Sequence, residues 1–181
     1  MILMADSARG AEVMLTARLL LRRPLPADVD AIFSINGDER ACAYNPSDML
    51  ATRDEAHQLL WRWDEHWSRF GFGYWVVSCH GSDSVVGFCG IKVMRLNDSE
   101  VMNLFYRFDP AVWGSGLATE AASAVTRWAA DNIPDRIVIA RIRPQNFASQ
   151  RVAIHAGLVR AEHLDTMGED GLDWIFVWTQ D

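Results

Sequence analysis

Phe105–Ala122 reads FYRFDPAVWGSGLATEAA. A β-rich run stops at Asp109-Pro110, glycines follow at Gly114 and Gly116, and an Ala-rich helix begins at once. A strand that opens through glycines into a helix aims unpaired backbone N–H groups and the positive end of the helix at one place, an arrangement suited to phosphate. The stretch therefore predicts an anionic cofactor.

Upstream of it lie two further β-rich runs, so that Tyr74 to Cys79, Val85 to Met94 and Glu100 to Phe108 follow one another across two short turn-prone links. Links that short force an antiparallel meander. Before the meander, Arg53 to Phe70 predicts a helix whose Ala56, Leu59, Leu60, Trp63, Trp67 and Phe70 keep the spacing of one buried face. Trp61 falls off that stripe and is expected to be exposed. The chain opens with a short strand at Thr16 to Arg23, then turns through Pro24–Asp28 into a helix carrying Val29, Ile32, Phe33 and Ile35. Downstream, the pattern gives a helix at Thr119 to Ala130, a strand at Ile137 to Ile142, and a loop and helix that stop at Gly157. Two last strands, near Val159 to Leu164 and Trp174 to Thr179, flank the loop DTMGEDG. The order is mixed α/β, with one domain over residues 15–181 and residues 1–14 expected to be a poorly ordered tail.

Bulk composition agrees with one core. The chain has 181 residues, half of them apolar, and 24 acidic against 17 basic side chains give a formal net charge of −7. That balance argues against coating nucleic-acid phosphates and favours a small-molecule or protein partner. Cys42, Cys79 and Cys89 form neither a CxxC pair nor a His-rich ladder, so buried thiols in a reducing compartment are expected, without disulfides or metal. No run approaches the length of a membrane span and the first residues lack a signal-peptide pattern, which predicts a cytoplasmic protein.

A GxG before a helix also occurs in dinucleotide folds and P-loops. Here the third fingerprint glycine is replaced by Thr119, the preceding strand ends an antiparallel meander, and no Gly-Lys-Ser/Thr follows. The stretch resembles the acyl-CoA motif of the GNAT N-acetyltransferase superfamily, Gln/Arg-x-x-Gly-x-Gly/Ala, carried here by Trp113-Gly114-Ser115-Gly116-Leu117-Ala118. Trp113 departs from the usual Gln or Arg. With Pro110 before it and Thr119-Glu120-Ala121 after it, the block is similar to the branch that holds bacterial ribosomal-protein N-terminal acetyltransferases, the RimJ/RimL-like group. A second block of that branch, Asn-x-x-Ser-x-Arg-Val followed by Gly, is matched by Asn146, Ser149, Arg151, Val152 and Gly157. The opening Leu19, Leu21 and Arg22 extend the resemblance to roughly residues 16–179.

The resemblance implies a GNAT-like fold: a largely antiparallel mixed sheet with a splayed central strand pair and flanking helices. It implies acetyl-CoA as cosubstrate and a primary amine, a peptide N-terminus or a small amine, as acceptor. The diphosphate would meet N–H groups around Gly114, Ser115, Gly116, Leu117, Ala118 and Thr119, with Arg151 and Arg143 as further phosphate contacts. The pantetheine arm would add like a strand to backbone at Tyr106, Arg107 and Phe108. Asn146 would cap the last helix, bind the arm, or do both. The helix Arg53 to Phe70 and the loop Asp165 to Gly171 would wall the acceptor, where Glu169 and Asp170 could attract a cationic amine. Tryptophans in excess of what the core needs leave both a monomer and a homodimer open.

The implied reaction is direct attack by an unprotonated amine, with an acid at the departing sulfur. Many family members carry a tyrosine seven residues after the asparagine, but this chain has Ala153, so the resemblance points to Ser149. The family's glutamate falls at Asn103, which cannot take a proton; Glu100, Asp109 and His155 are alternative bases. Deprotonating a peptide α-amine near pKa 8 at neutral pH costs only about 1.4 kcal/mol, against about 4.6 for a lysine, so a peptide α-amine or a similarly weak base needs little help. The missing tyrosine and glutamate leave a non-catalytic acyl-CoA-binding module as an alternative. A larger donor such as succinyl-CoA is another.

Overall fold

The computed structural model describes residues 12–179. Its nine strands are β1 (Val13–Leu15), β2 (Leu19–Arg22), β3 (Tyr74–Cys79), β4 (Val85–Leu96), β5 (Ser99–Phe108), β6 (Val138–Ile142), β7 (Leu158–Arg160), β8 (Thr166–Gly168) and β9 (Gly171–Trp178). Four helices join them: α1 (Val29–Asn36), α2 (Arg53–Phe70), α3 (Leu117–Asn132) and α4 (Phe147–His155). The strands run in the order β1-β2-β3-β4-β5-β6-β9-β7, with β8 attached to β9, and every pairing is antiparallel except β5 with β6. The mixed, mostly antiparallel sheet expected from the meander is what forms.

Local chemistry accounts for the element ends. Thr52 and Glu55 make a reciprocal cap at the start of α2, with Thr52 Oγ1 accepting the Glu55 N–H at 3.3 Å and Glu55 Oε2 accepting the Thr52 N–H at 3.0 Å. Gly71, at φ +76°, ends the same helix in the left-handed conformation. The β4–β5 hairpin turns on Asn97-Asp98, and Asn97 takes φ +53°, which asparagine tolerates.

The sheet separates two cores. On one face Leu19, Trp75, Cys89, Met102, Leu104 and Phe108 pack against α3 and α4, through Ala121, Val125 and Ala153 among others. On the other, Tyr74, Val76 and Phe88 pack against α1 and α2, with Trp63 edge-on to Tyr74 at 5.5 Å. Trp61 is 64% exposed, as its place off the stripe predicts. Cys42 and Cys89 are buried and all three thiols are free.

Three differences from the sequence reading have simple causes. Val13 and Met14, expected in a tail, pair with Arg22 and Leu21; three residues are too few to show a period, and only pairing makes them a strand. The rest of that expected tail, residues 1–11, lies outside the described residues. The expected loop DTMGEDG is a hairpin, β8 to β9, in which Met167 faces Leu172. The strand expected near Val159 to Leu164 is shorter, because residues 162–164 wind into a helical turn.

Candidate active site

The β5–β6 pair is bonded only at Met102 with Val138 and Asn103 with Ile139, after which the two strands diverge. Strand parity decides which groups face the gap. The Met102 N–H donates toward β6, to Ile137 O at 2.8 Å, whereas the Asp109 N–H donates toward β4, to Val86 O at 2.9 Å. Alternate residues point the same way, so the backbone of Leu104, Tyr106 and Phe108 faces the gap and that of Arg107 faces β4. The Phe108 carbonyl is already taken by Trp113 Nε1 at 2.9 Å. Trp113, at the motif's first place, thus ties the corner to the strand that precedes it.

Beyond Trp113 the corner is left-handed twice, with φ +77° at Gly114 and +79° at Gly116, a conformation that costs any residue with a Cβ. From Gly114 to Thr119 no backbone N–H has an acceptor among the described residues; the first helical bond is Glu120 N–H to Gly116 O at 3.0 Å. Six consecutive donors and a helix N-terminus therefore stand open. The turn is braced from behind. Glu120 accepts from Thr16 Oγ1 at 2.6 Å, the Arg18 N–H at 2.8 Å and Arg18 Nε at 2.6 Å, while Arg18 Nη1 donates to Ser115 O at 2.9 Å. Burial alone would raise the Glu120 pKa, but these hydrogen bonds outweigh it and hold the carboxyl below its ordinary value. Thr16, Arg18 and Glu120 were invisible as a group in the sequence, since about a hundred residues separate them.

Asn146 caps α4, its Oδ1 accepting the Ser149 N–H at 3.1 Å. The Ser149 carbonyl accepts from the Tyr106 phenol at 2.6 Å, and burial pushes that phenol's pKa up, keeping it a donor. Ser149 is thus held at both ends of its peptide while its own hydroxyl has no partner among the described residues. Ala153 is fully buried in the core.

A cleft of 1520 Å³ runs from this corner through the gap to the α1–α2 face. The residues predicted to hold the cofactor line it, as do Asn103 and Ser149, except Ser115, whose Oγ is bonded back to Val112 O at 2.5 Å. Arg107 lines its other half: the guanidinium, buried to 9% exposure, donates to Asn36 Oδ1 at 2.9 Å and to Asp48 Oδ2 at 3.0 Å. Neither its backbone nor its side chain is free for a strand-like ligand, which corrects the expectation placed on it. Arg143 is also committed, to Asp173 at 3.0 Å, to Asp170 at 3.8 Å and to the Tyr44 and Gly171 carbonyls, so it braces the β8–β9 hairpin and is not a free phosphate contact. Arg151 is exposed and lines the cleft.

The half of the cleft away from the glycine corner is lined by residues of α2 and of the β8–β9 hairpin, the two segments expected to wall an acceptor. Of the two acids expected to attract a cation there, Glu169 is exposed without a partner among the described residues, whereas Asp170 is committed. Asp170 accepts from the Ser47 N–H at 3.1 Å and Ser47 Oγ at 2.6 Å, and Asp173 pairs with Arg141 at 2.5 Å. Among the alternative bases, Glu100 lies at the far end of β5 against Arg136 at 3.0 Å, and Asp109 caps the turn after β5 by accepting the Ala111 N–H at 2.8 Å. His155 is exposed and lines the cleft. Asn103 Oδ1 is buried without a donor among the described residues, and its amide lies against the buried Tyr74 hydroxyl. His66, which the sequence reading passed over, donates Nδ1–H to Phe72 O at 2.8 Å and accepts the Val93 N–H on Nε2 at 3.1 Å. Its ring bridges the segment just before β3 to β4, and burial lowers its pKa.

The acetyltransferase (GNAT) domain family model matches residues 18–159. The chain belongs to that family. Among its relatives is a Schizosaccharomyces pombe protein named an uncharacterized N-acetyltransferase, 27% identical over 160 residues, which span 80% of this chain and 83% of the relative. An acetyltransferase from Agrobacterium tumefaciens superposes with a TM-score of 0.79 at 22% identity, covering 93% of this chain and 94% of its own. A structure of RimL, a ribosomal L7/L12 alpha-N-protein acetyltransferase in complex with coenzyme A, superposes with a TM-score of 0.74 at 15% identity, covering 92% and 97%. The resemblance carried by the glycine motif thus holds at the level of family and fold.

Proposed function

We propose that this chain transfers an acetyl group from acetyl-CoA to a primary amine by direct attack. The observation that carries the proposal is the run of acceptorless N–H groups from Gly114 to Thr119 at the wide end of the β5–β6 gap. Those donors suit a diphosphate, and the edge groups of Leu104 and Tyr106 suit an amide-bearing arm, so the residues present fit coenzyme A. Bound there, acetyl-CoA supplies a thioester in which the N–C bond forms as the C–S bond breaks and the electron pair leaves on sulfur.

Ser149 Oγ gives a proton to that sulfur and regains one from solvent. Its freedom from other partners and the fixed backbone around it support the role. Asn103 Oδ1, an acceptor without a donor, orients an amine N–H. The proton lost by the amine goes to water, which suffices for an α-amine. Arg151 adds a phosphate contact, and Asn146 positions Ser149 through its cap. The cytoplasm is the proposed compartment; among the described residues no helix is long and apolar enough to cross a membrane.

Titration calorimetry with coenzyme A and thiol release from acetyl-CoA across an amine panel test the reading. Binding together with amine-dependent thiol release is expected. Binding without release from any amine would support the non-catalytic module instead.

A further inference from the structure

Lys92 stands opposite Asn103 in the β4–β5 register, and Asn103 is the last β5 residue paired with β6. Directly opposite residues share a face of the sheet, so Lys92 lies level with the apex of the gap on the α1–α2 side. Neither Lys92 nor Arg62 of α2 has an ion-pair or hydrogen-bond partner among the described residues, and both line the cleft.

The acids around them are spent. Asp48 holds Arg107, Glu55 caps α2, and Asp170 and Asp173 hold Arg143 and Arg141. Glu169, exposed on the hairpin tip, is the one cleft-lining carboxylate without a partner among the described residues. A chain of net charge −7 therefore presents unmatched positive charge beside the proposed reaction centre. Although Lys92 keeps contact with solvent, crowding by protein lowers its pKa; Asp48 opposes the shift and Arg141 and Arg62 add to it.

We propose that the acceptor is a primary amine that also carries a carboxylate, which Lys92 and Arg62 bind while Asn103 Oδ1 takes an amine N–H. The inference rests on the transferase reading and narrows its substrate class. A free amino acid and a peptide N-terminus followed by an acidic residue share that chemistry. A polyamine or an isolated lysine side chain would instead meet two like charges.

The test compares kcat/KM for matched acceptors at saturating acetyl-CoA: glutamate against glutaminamide, and amidated peptides beginning Ser-Glu-Glu against Ser-Gln-Gln. The anionic member of at least one pair should be favoured by roughly tenfold or more, mainly through KM, with the advantage shrinking as salt rises. The pair that responds distinguishes the free amino acid from the peptide. Lys92→Met should reduce the ratio and Lys92→Glu should reverse it toward putrescine. Calorimetry with coenzyme A confirms that each variant keeps its fold and corner.

Equal or faster turnover of neutral or cationic amines in the parent protein would overturn the proposal, as would a ratio unchanged in Lys92→Glu. If no amine is turned over, the transferase reading fails separately. Titration of glutamate and the Ser-Glu-Glu peptide into the coenzyme A-loaded protein then decides: binding lost in Lys92→Glu supports the anion site, and no binding overturns it.

Discussion

The two walls of the cleft are made of different materials. The corner from Gly114 to Thr119 offers main-chain donors contributed by consecutive residues, whereas the opposite wall is made of side chains drawn from distant segments, such as Arg107 with Asp48 and Arg143 with Asp173. A backbone site depends on conformation and tolerates change in most side chains. A side-chain site depends on charge balance, and one lost partner leaves another buried charge exposed to the full cost of desolvation.

The sharpest way to probe that contrast is Asp173→Asn. Asp173 and Arg143 are 2% and 6% exposed, and the substitution removes the nearer counter-ion of the guanidinium, leaving Asp170 at 3.8 Å. The loss expected is about 3 kcal/mol or more of stability, read from the denaturant midpoint, with the β8–β9 hairpin loosened. A midpoint within error of the parent would show that Asp170 and the Tyr44 and Gly171 carbonyls satisfy Arg143 without Asp173.

Ser149→Ala removes a hydroxyl that makes no structural hydrogen bond among the described residues, so stability and coenzyme A affinity should hold. Turnover should fall by about a hundredfold, the scale of one general acid. Unchanged turnover would remove Ser149 from the mechanism.

Gly116→Ala tests the backbone wall directly. A Cβ there meets Arg18 Nη2 at 3.5 Å, an ordinary contact, so crowding within the protein is not the obstacle. The left-handed φ of +79° costs about 1–2 kcal/mol, and coenzyme A affinity should weaken by about tenfold as the corner relaxes. Undiminished affinity would mean that these amides do not hold the phosphates.

The smallest effect is a pH dependence. His66 is held neutral, its pKa lowered from 6.5 chiefly by burial. A depressed histidine contributes stability that is present above its unfolded value and lost as pH falls through its folded one. The midpoint should therefore decline as pH drops below 6.5, and His66→Gln should flatten that part of the curve. Parallel curves for parent and variant would count against the assignment.

Legibility in the sequence followed the same division. The glycine corner, the meander, the α2 stripe and the Asn146 cap were readable because each rests on residues within a turn or two of one another. Arg107 misled because a residue beside a binding edge looks like part of it; only strand parity shows that its peptide serves β4. Asp170 looked like part of an acidic lure because the arginines that neutralise it and its neighbour Asp173 are about thirty residues away. Lys92 gave no signal at all. A lone lysine in a strand becomes informative only when the acids around it prove to be occupied.

Sequence alone determined the order of the helices and the central strands, the twin-glycine corner and the family, since these follow from local backbone preference and from the spacing of apolar side chains. Tertiary structure decided which peptide groups face the gap, which charges cancel and which remain. Those outcomes depend on strand register and on contacts between segments far apart in the chain, and no local pattern encodes them.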